Sequence, residues 1–311
     1  MASHHMAPTQ IPFDINSVDV LHLELTTKCN ASCLQCDRTD PNSGYSEDHD
    51  LSLSRIQELF TEDQVRQLGK MFACGTFGDP AAARECLKIF RWFRSVNPDI
   101  TLGMNTNGGL RTTDFWAELG QLMSGPLDYC VFSIDGMAST NDMYRQGVMW
   151  HKVMINAEAF IKAGGRAHWD MLVFEHNQHQ VDLCRDHAKK MGFVRFRTKV
   201  SNRFEQRPVL FLDPPVGWEQ PQPVVGPISC HALNERSLYV SATGHVLPCC
   251  FFGGEVFRWS NELRDNLSEP GFPKIVESWQ KQPHKVCSRN CSSGDSGSFF
   301  QKQWTEETAF D

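Results

Sequence analysis

Short runs of apolar, β-prone residues alternate along the chain with stretches whose apolar positions recur at helical spacing, the pattern of repeated strand–helix–strand units with a parallel sheet. Strands are predicted near 19–26, 70–75, 100–105, 128–134, 167–174 and 194–199, and helices near 52–68, 80–96, 112–123, 150–163 and 179–191. Six strands fall short of the eight that close a barrel, so the predicted fold is α/β, a partial (β/α)6 TIM-like barrel with its site where loops leave the C-terminal strand ends. From Arg203 the pattern breaks, and Pro208, Pro214, Pro215, Pro221, Pro223 and Pro227 mark a linker over 203–227. Beyond it Leu238-Tyr239-Val240 and His245-Val246-Leu247, separated by Ser241-Ala242-Thr243-Gly244, predict a β-hairpin, with a helix around 272–281. The expected organisation is an N-terminal extension over 1–17, the barrel over 18–202, the linker, a small C-terminal domain over 228–292 and a tail over 293–311. The opening Met1-Ala2-Ser3-His4-His5-Met6 reads as a tag remnant.

Composition changes this picture mainly by exclusion. With 311 residues, 41% of them hydrophobic and 22% charged, the chain has the makeup of a soluble globular protein and not of a disordered one. A net charge of −7 argues against a nucleic-acid partner. No apolar run approaches the roughly 20 residues that span a bilayer, so no membrane partner is expected. The N-terminus lacks a charged region followed by an apolar one, so no secretion signal is expected either. Twelve cysteines without such a signal point to metal binding in a reducing cytoplasm, not to a disulfide framework.

Those cysteines carry the candidate chemistry. Cys29, Cys33 and Cys36 stand in Lys28-Cys29-Asn30-Ala31-Ser32-Cys33-Leu34-Gln35-Cys36, directly after the apolar run from Val18 to Leu25. Three thiolates on one short loop suit three irons of a four-iron cluster and leave the fourth iron open to an exogenous amino-carboxylate. A structural zinc site is the alternative on spacing alone. A second group, Cys230, Cys249, Cys250, Cys287 and Cys291, lies in the C-terminal third, where four cysteines suit either an iron–sulfur cluster or zinc. Cys74, Cys86, Cys130 and Cys184 fall within predicted strands or helices and are expected to be small core filler. On the last barrel strand Arg195, Arg197 and Lys199 alternate with Val194, Phe196 and Thr198, so the three cations share one face, either lumen or solvent.

The C-x3-C-x2-C loop after the first strand resembles the signature of the radical S-adenosylmethionine (SAM) enzymes. Three further stretches resemble that family. Gly75-Thr76-Phe77-Gly78-Asp79-Pro80 follows the second strand like the family's glycine-rich turn, which implies that Gly78 and Asp79 bind the amino group of SAM, with Asp79 in place of the usual glutamate. Ser133-Ile134-Asp135-Gly136 with Tyr144-Arg145 is similar to the Ser-x-Asp-Gly…Tyr-Arg pattern, which implies that Ser133 and Arg145 hold the SAM carboxylate, as a planar guanidinium suits. Thr106-Asn107-Gly108 looks like the turn near the ribose, although Asn-Gly is also a generic turn. Gln35 departs from the aromatic residue that many members carry before the third cysteine.

Gly244 with Cys249 five positions on resembles the opening of the SPASM and twitch modules, which hold auxiliary clusters. A full SPASM module needs more cysteines than the five present, so the resemblance implies a twitch-type domain of hairpin plus helix, with one auxiliary [4Fe-4S] cluster on Cys230, Cys249, Cys287 and Cys291 and Cys250 as alternate or bystander. The implied cofactors are the SAM-binding [4Fe-4S] cluster, SAM itself and that second cluster. The implied activity is reductive cleavage of SAM to a 5′-deoxyadenosyl radical, hydrogen abstraction from a substrate, and its oxidation through the auxiliary cluster, as in the related aminocyclitol dehydrogenase. A small polar substrate such as a sugar or aminocyclitol is expected, because the chain ahead of Cys29 is too short for the peptide-recognition domain of many peptide modifiers. Peptide or protein side-chain modification, by crosslinking, oxidation or epimerisation, is the alternative within enzymes. A zinc-binding interaction module is the alternative outside them. An external one-electron donor such as flavodoxin or ferredoxin is implied as partner. Candidates for chemistry on the substrate are Asp170, Glu175 and Lys199 near the last two strands, and Cys250 as a hydrogen donor.

Overall fold

The computed structural model describes residues 17–45, 47–201, 203–204, 209, 212–219, 228–253, 285–291 and 304–310. All six predicted strands are present: β1 (Val20–Leu23), β2 (Lys70–Ala73), β3 (Thr101–Thr106), β4 (Tyr129–Ser133), β5 (Ala167–Val173) and β6 (Arg195–Val200). Each pairs in parallel with the next. Parallel neighbours need crossovers. These carry α1 (Leu53–Leu59), α2 (Glu62–Gln67), α3 (Cys86–Val96), α4 (Thr113–Leu122), a single-turn α5 (Asn141–Tyr144), α6 (Trp150–Lys162) and α7 (Val181–Met191).

Two predicted helices are cut short by their own capping chemistry. The helix expected over 52–68 breaks at Phe60-Thr61, because Thr61 is extended and starts α2 with a capping box: its hydroxyl accepts from Gln64 N while its own N–H donates to Gln64 Oε1 at 2.9 Å. The apolar period runs on through Phe60 and hides the break. The helix expected over 80–96 begins only at Cys86, because Asp79 caps a separate 3-10 turn at Pro80–Ala82.

Alternation along the strands sorts the sheet into two faces. Leu21, Leu23, Met71, Leu102, Met104, Cys130, Phe132, Trp169, Met171 and Phe196 are buried in the core that includes Ile89, Phe90 and Phe93 of α3 and Phe160 of α6. Trp169 thus belongs to the core, its indole N–H donating to Ile134 O at 2.8 Å. The opposite, lumen face carries His22 stacked on Phe72, Tyr129 stacked on His168, and Lys70 over the rings of Phe72 and Tyr129. Asp170, Arg195, Arg197 and Lys199 lie on this face too, which decides between the two sides left open by periodicity.

The C-terminal part joins the same sheet. After α8 (His231–Asn234), the hairpin of β7 (Ser237–Val240) and β8 (Val246–Leu247) forms as predicted, but β7 runs parallel to β1, so the hairpin extends the sheet. α9 (Cys250–Gly253) and α10 (Lys285–Cys291) follow, and β9 (Glu306–Ala309) pairs antiparallel with β6, within a segment expected only as a tail. The nine strands run in the order β8-β7-β1-β2-β3-β4-β5-β6-β9. The helix expected around 272–281 lies outside the described residues, as does most of the proline-rich linker. Among the described residues, no helix is long and apolar enough to cross a membrane.

Candidate active site

The loop after β1 crosses the C-terminal mouth of the barrel and is pinned at several points. Lys28 O accepts from Asp79 N at 2.8 Å, and Gln146 O accepts from Ser32 N at 2.8 Å. At its far end the buried Gln35 reaches the exit of β6: its Oε1 accepts from Ser201 Oγ at 2.5 Å and its backbone carbonyl from Arg203 at 2.7 Å. Asp37 adds an ion pair with Arg203 at 3.4 Å. The Gln35 departure noted in the sequence therefore ties the cysteine loop across the open side of the barrel.

Cys29, Cys33 and Cys36 are half-buried and unpaired by disulfides. Burial pushes the Cys29 thiol up to about 11 and the Cys33 thiol up to about 12, and each is raised further by neighbouring cysteines of the loop, so the three sulfurs share one locale. Metal ligation would have to displace those protons. Two N–H groups already address Cys29 Sγ, from Ala31 N at 3.3 Å and Asn107 Nδ2 at 3.4 Å. Such donors stabilise a cluster-bound thiolate, so the residues fit an iron–sulfur cubane. Among the described residues no three His, Cys, Asp or Glu converge on a point for one metal ion. A cubane asks for a different arrangement, since each thiolate binds its own iron and the sulfurs surround the cluster.

The glycine-rich turn after β2 lies against this loop. A Cβ on Gly78 would sit 1.9 Å from Thr26 O, so only glycine permits the approach. Asp79 is buried, and its carboxylate accepts from Ala81 N, Thr106 Oγ1 and Asn107 N at 2.6–3.0 Å. It therefore braces three loops, and its share in binding an ammonium would come from its charge, beside the carbonyls of the turn. Asn107 is likewise a brace, with Nδ2 divided between Asn30 Oδ1 and Cys29 Sγ.

Sequence reasoning missed Glu24, a carboxylate interrupting the apolar alternation of the first strand region. It is buried, accepts from Phe77 N at 2.7 Å and from the Tyr239 hydroxyl at 2.6 Å, and so couples the glycine-rich turn to β7. It also missed Asp135, fully buried and facing Arg145 with Nε 2.7 Å from Oδ2. The contact is an ion pair off the hydrogen-bond axis, for neither atom has a hydrogen-bond partner. Burial pushes the Asp135 carboxyl up and Arg145 opposes that shift. Arg145 also influences Cys33, which puts its charge beside the cysteine loop. Ser133 ends β4 opposite Asp170 in register. Glu175 is exposed on the turn after β5, with its N–H bonded to Asp213 O.

In the C-terminal group Cys287 is buried in an apolar cluster against which Cys249 and Cys250 pack; burial raises Cys249, with Cys250 and then Cys230 adding, and raises Cys291, with Cys230 and Cys287 adding. Ser229 N donates to Cys291 O at 2.8 Å, closing α10 onto the start of α8. Burial pushes the Cys250 and Cys74 thiols up to about 12, with Cys74 adding to the Cys250 shift. Cys86, Cys130 and Cys184 are core filler as expected. Cys74 is not: it is half-buried just after β2 and responds to Glu24 and Lys199.

This parallel partial barrel, with a cysteine loop over its C-terminal mouth, is the fold of the radical SAM enzymes. No family model matches the chain. Among curated proteins it is similar to a GTP 3',8-cyclase of Rhodopirellula baltica, 23% identical over 240 residues that cover 74% of this chain and 61% of that one; the match thus spans less than two thirds of the relative. Among solved structures it resembles Streptococcus suis SuiB bound to S-adenosylmethionine, with TM-score 0.56 and 13% identity over 87% of this chain and 77% of SuiB. It also resembles anSMEcpe with bound AdoMet, with TM-score 0.54 and 14% identity over 92% of this chain and 91% of the other.

Proposed function

We propose that the chain is a radical SAM enzyme that oxidises a small polar substrate, such as a sugar or aminocyclitol, by hydrogen abstraction. The observation that carries this reading is the three-cysteine loop pinned across the barrel mouth, with N–H donors aimed at Cys29 and the glycine-rich turn beside it. A [4Fe-4S] cluster on Cys29, Cys33 and Cys36, when bound, supplies the electron that cleaves SAM to methionine and a 5′-deoxyadenosyl radical, for which an external donor such as flavodoxin or ferredoxin is the source. Gly78 leaves room for the SAM amino group against the turn, Ser133 and Arg145 orient its carboxylate, and the lumen takes the substrate. Cys230, Cys249, Cys287 and Cys291 would hold an auxiliary cluster of the twitch type, which would supply an acceptor for the substrate's second electron. Peptide modification is the second reading, favoured by the likeness to SuiB, which has been solved with precursor peptide SuiA, and to anSMEcpe, solved with the Cp18Cys peptide.

Anaerobic reconstitution tests the first step. About eight irons per chain, with 5′-deoxyadenosine formed on reduction, support the reading, and one zinc per cysteine group without SAM cleavage overturns it. The auxiliary role has its own test. A folded Cys287→Ala/Cys291→Ala chain is expected to keep SAM cleavage while its ratio of oxidised product to 5′-deoxyadenosine collapses; an unchanged ratio favours redox-neutral chemistry. For cofactor binding, Arg145→Lys keeps a cation beside Asp135 but loses the planar fork, and should weaken SAM binding about 10-fold or more in a calorimetric titration, with iron content unchanged.

A further inference from the structure

We propose that the buried Glu24 carboxylate and the Tyr239 hydroxyl bonded to it are positioning groups for SAM: together they fix the peptide planes of the turn at 75–79 so that its carbonyls meet the SAM amino group. The inference rests on the radical SAM reading and deepens it, by naming what holds the turn in its binding shape.

The stretch that runs from β1 into the cysteine loop anchors the turn at both ends and in the middle. Leu23 O accepts from Cys74 N at 3.1 Å, His22 Nε2 lies 2.7 Å from Cys74 O, and Lys28 O accepts from Asp79 N at 2.8 Å. Between these ends stands Glu24, 1% exposed, whose Oε1 accepts from Phe77 N at 2.7 Å. Burial pushes its carboxyl up, and the Phe77 N–H, the Tyr239 hydroxyl and the N–H groups of Thr76 and Gly78 oppose that shift. Three successive amides thus address one carboxylate, the arrangement of an anion-binding nest. In a trans peptide the carbonyl points opposite to the N–H that follows it, and the described residues contain no cis peptide. Turning the Phe77 N–H toward Glu24 therefore turns the Thr76 carbonyl away from it. An ammonium offers three donors and no acceptor, so it needs carbonyls in front of it and not N–H groups. Glu24 sorts the two kinds of backbone group onto opposite sides of the turn.

Tyr239 fixes the carboxylate in its own turn. It is fully buried, stands opposite His22 in the register of β1 and β7, and lies edge-on to that ring at 4.8 Å. Its hydroxyl donates to Glu24 Oε2 at 2.6 Å. The Phe77 N–H holds one carboxylate oxygen and the hydroxyl the other, so the group cannot rotate without losing a charge-assisted bond. The tyrosine is itself clamped: a Cβ on Gly253 would stand 2.7 Å from its hydroxyl oxygen, and its ring shares an apolar cluster with Leu247, Phe252, Val286 and Cys287. The turn is thereby held in shape from the part of the chain that carries the second cysteine group.

The test measures SAM affinity by calorimetry on the reconstituted full chain, with iron content and circular dichroism as controls. Tyr239→Phe removes one hydroxyl and keeps the ring; it is expected to weaken SAM binding about 10-fold, with iron unchanged. Glu24→Leu should weaken it further, about 100-fold, whereas Glu24→Gln, whose amide oxygen still accepts from Phe77 N, should stay within about 3-fold of wild type. A folded, iron-loaded Tyr239→Phe chain that binds SAM as tightly as wild type overturns the proposal, since the pair would then serve stability alone. A loss in Glu24→Gln as large as that in Tyr239→Phe overturns it too, because charge and not positioning would then set the affinity. Should Glu24→Leu fail to fold, these two variants decide the matter without it. The parent reading fails separately, when wild type takes up no iron or binds no SAM.

Discussion

Replacing Cys29, Cys33 and Cys36 together by alanine is expected to abolish reductive cleavage of SAM and to remove about half of the iron taken up on reconstitution, leaving the C-terminal cysteines loaded. The fold should survive, because the loop is held by groups that the substitutions spare: Asp79 N to Lys28 O, Ser32 N to Gln146 O, and the Gln35 contacts with Ser201 and Arg203. The three thiols stand as the sole triple on one short loop, so no other trio offers an equivalent open iron. The deciding measurement is 5′-deoxyadenosine after reduction, with circular dichroism to confirm folding. Product formed at wild-type levels would remove the triad from its assigned role.

The second large effect concerns stability. Asp135→Ala leaves the Arg145 guanidinium, 13% exposed, without its carboxylate, and should cost on the order of 3–5 kcal/mol in a denaturant titration. The carboxylate also accepts from Leu172 N at 2.7 Å, so its loss frees a backbone donor as well. The control is the double variant Asp135→Leu/Arg145→Leu, which removes both charges and should recover much of the loss. A single variant as stable as wild type would mean that water already satisfies the arginine.

Local features of this molecule were legible in the sequence, and long-range pairings were not. The six barrel strands could be read because parallel strands buried on the helix side appear as apolar runs. The cysteine loop could be read because its chemistry lies within eight consecutive positions. Arg195, Arg197 and Lys199 show the limit of periodicity: it establishes a shared face but not which one. Glu24 and Gln35 went unassigned because their partners are remote, Tyr239 standing 215 positions from Glu24 and Ser201 166 from Gln35. Cys74 was misassigned for a related reason, since a cysteine just past a strand end reads as core until the lumen face is known. β9 escaped because Glu306-Glu307-Thr308-Ala309 has no strand-like alternation of its own; pairing with β6 and ion pairs to Arg185 and Arg195 supply what its sequence lacks.

The way the sheet is flanked has a consequence for the newborn chain. β1 is bordered by β7 and β6 by β9, so both flanks of the barrel are covered by polypeptide made after it. Unpaired strand edges template aggregation, and domains begin to fold from the N-terminal side during synthesis. Between the emergence of β6 and that of β9 about a hundred residues must be translated, several seconds or more at the ribosome's pace of about 5–20 residues per second. Throughout that interval Arg195, Arg197 and Lys199 act as charged gatekeepers on an open edge and keep other chains away.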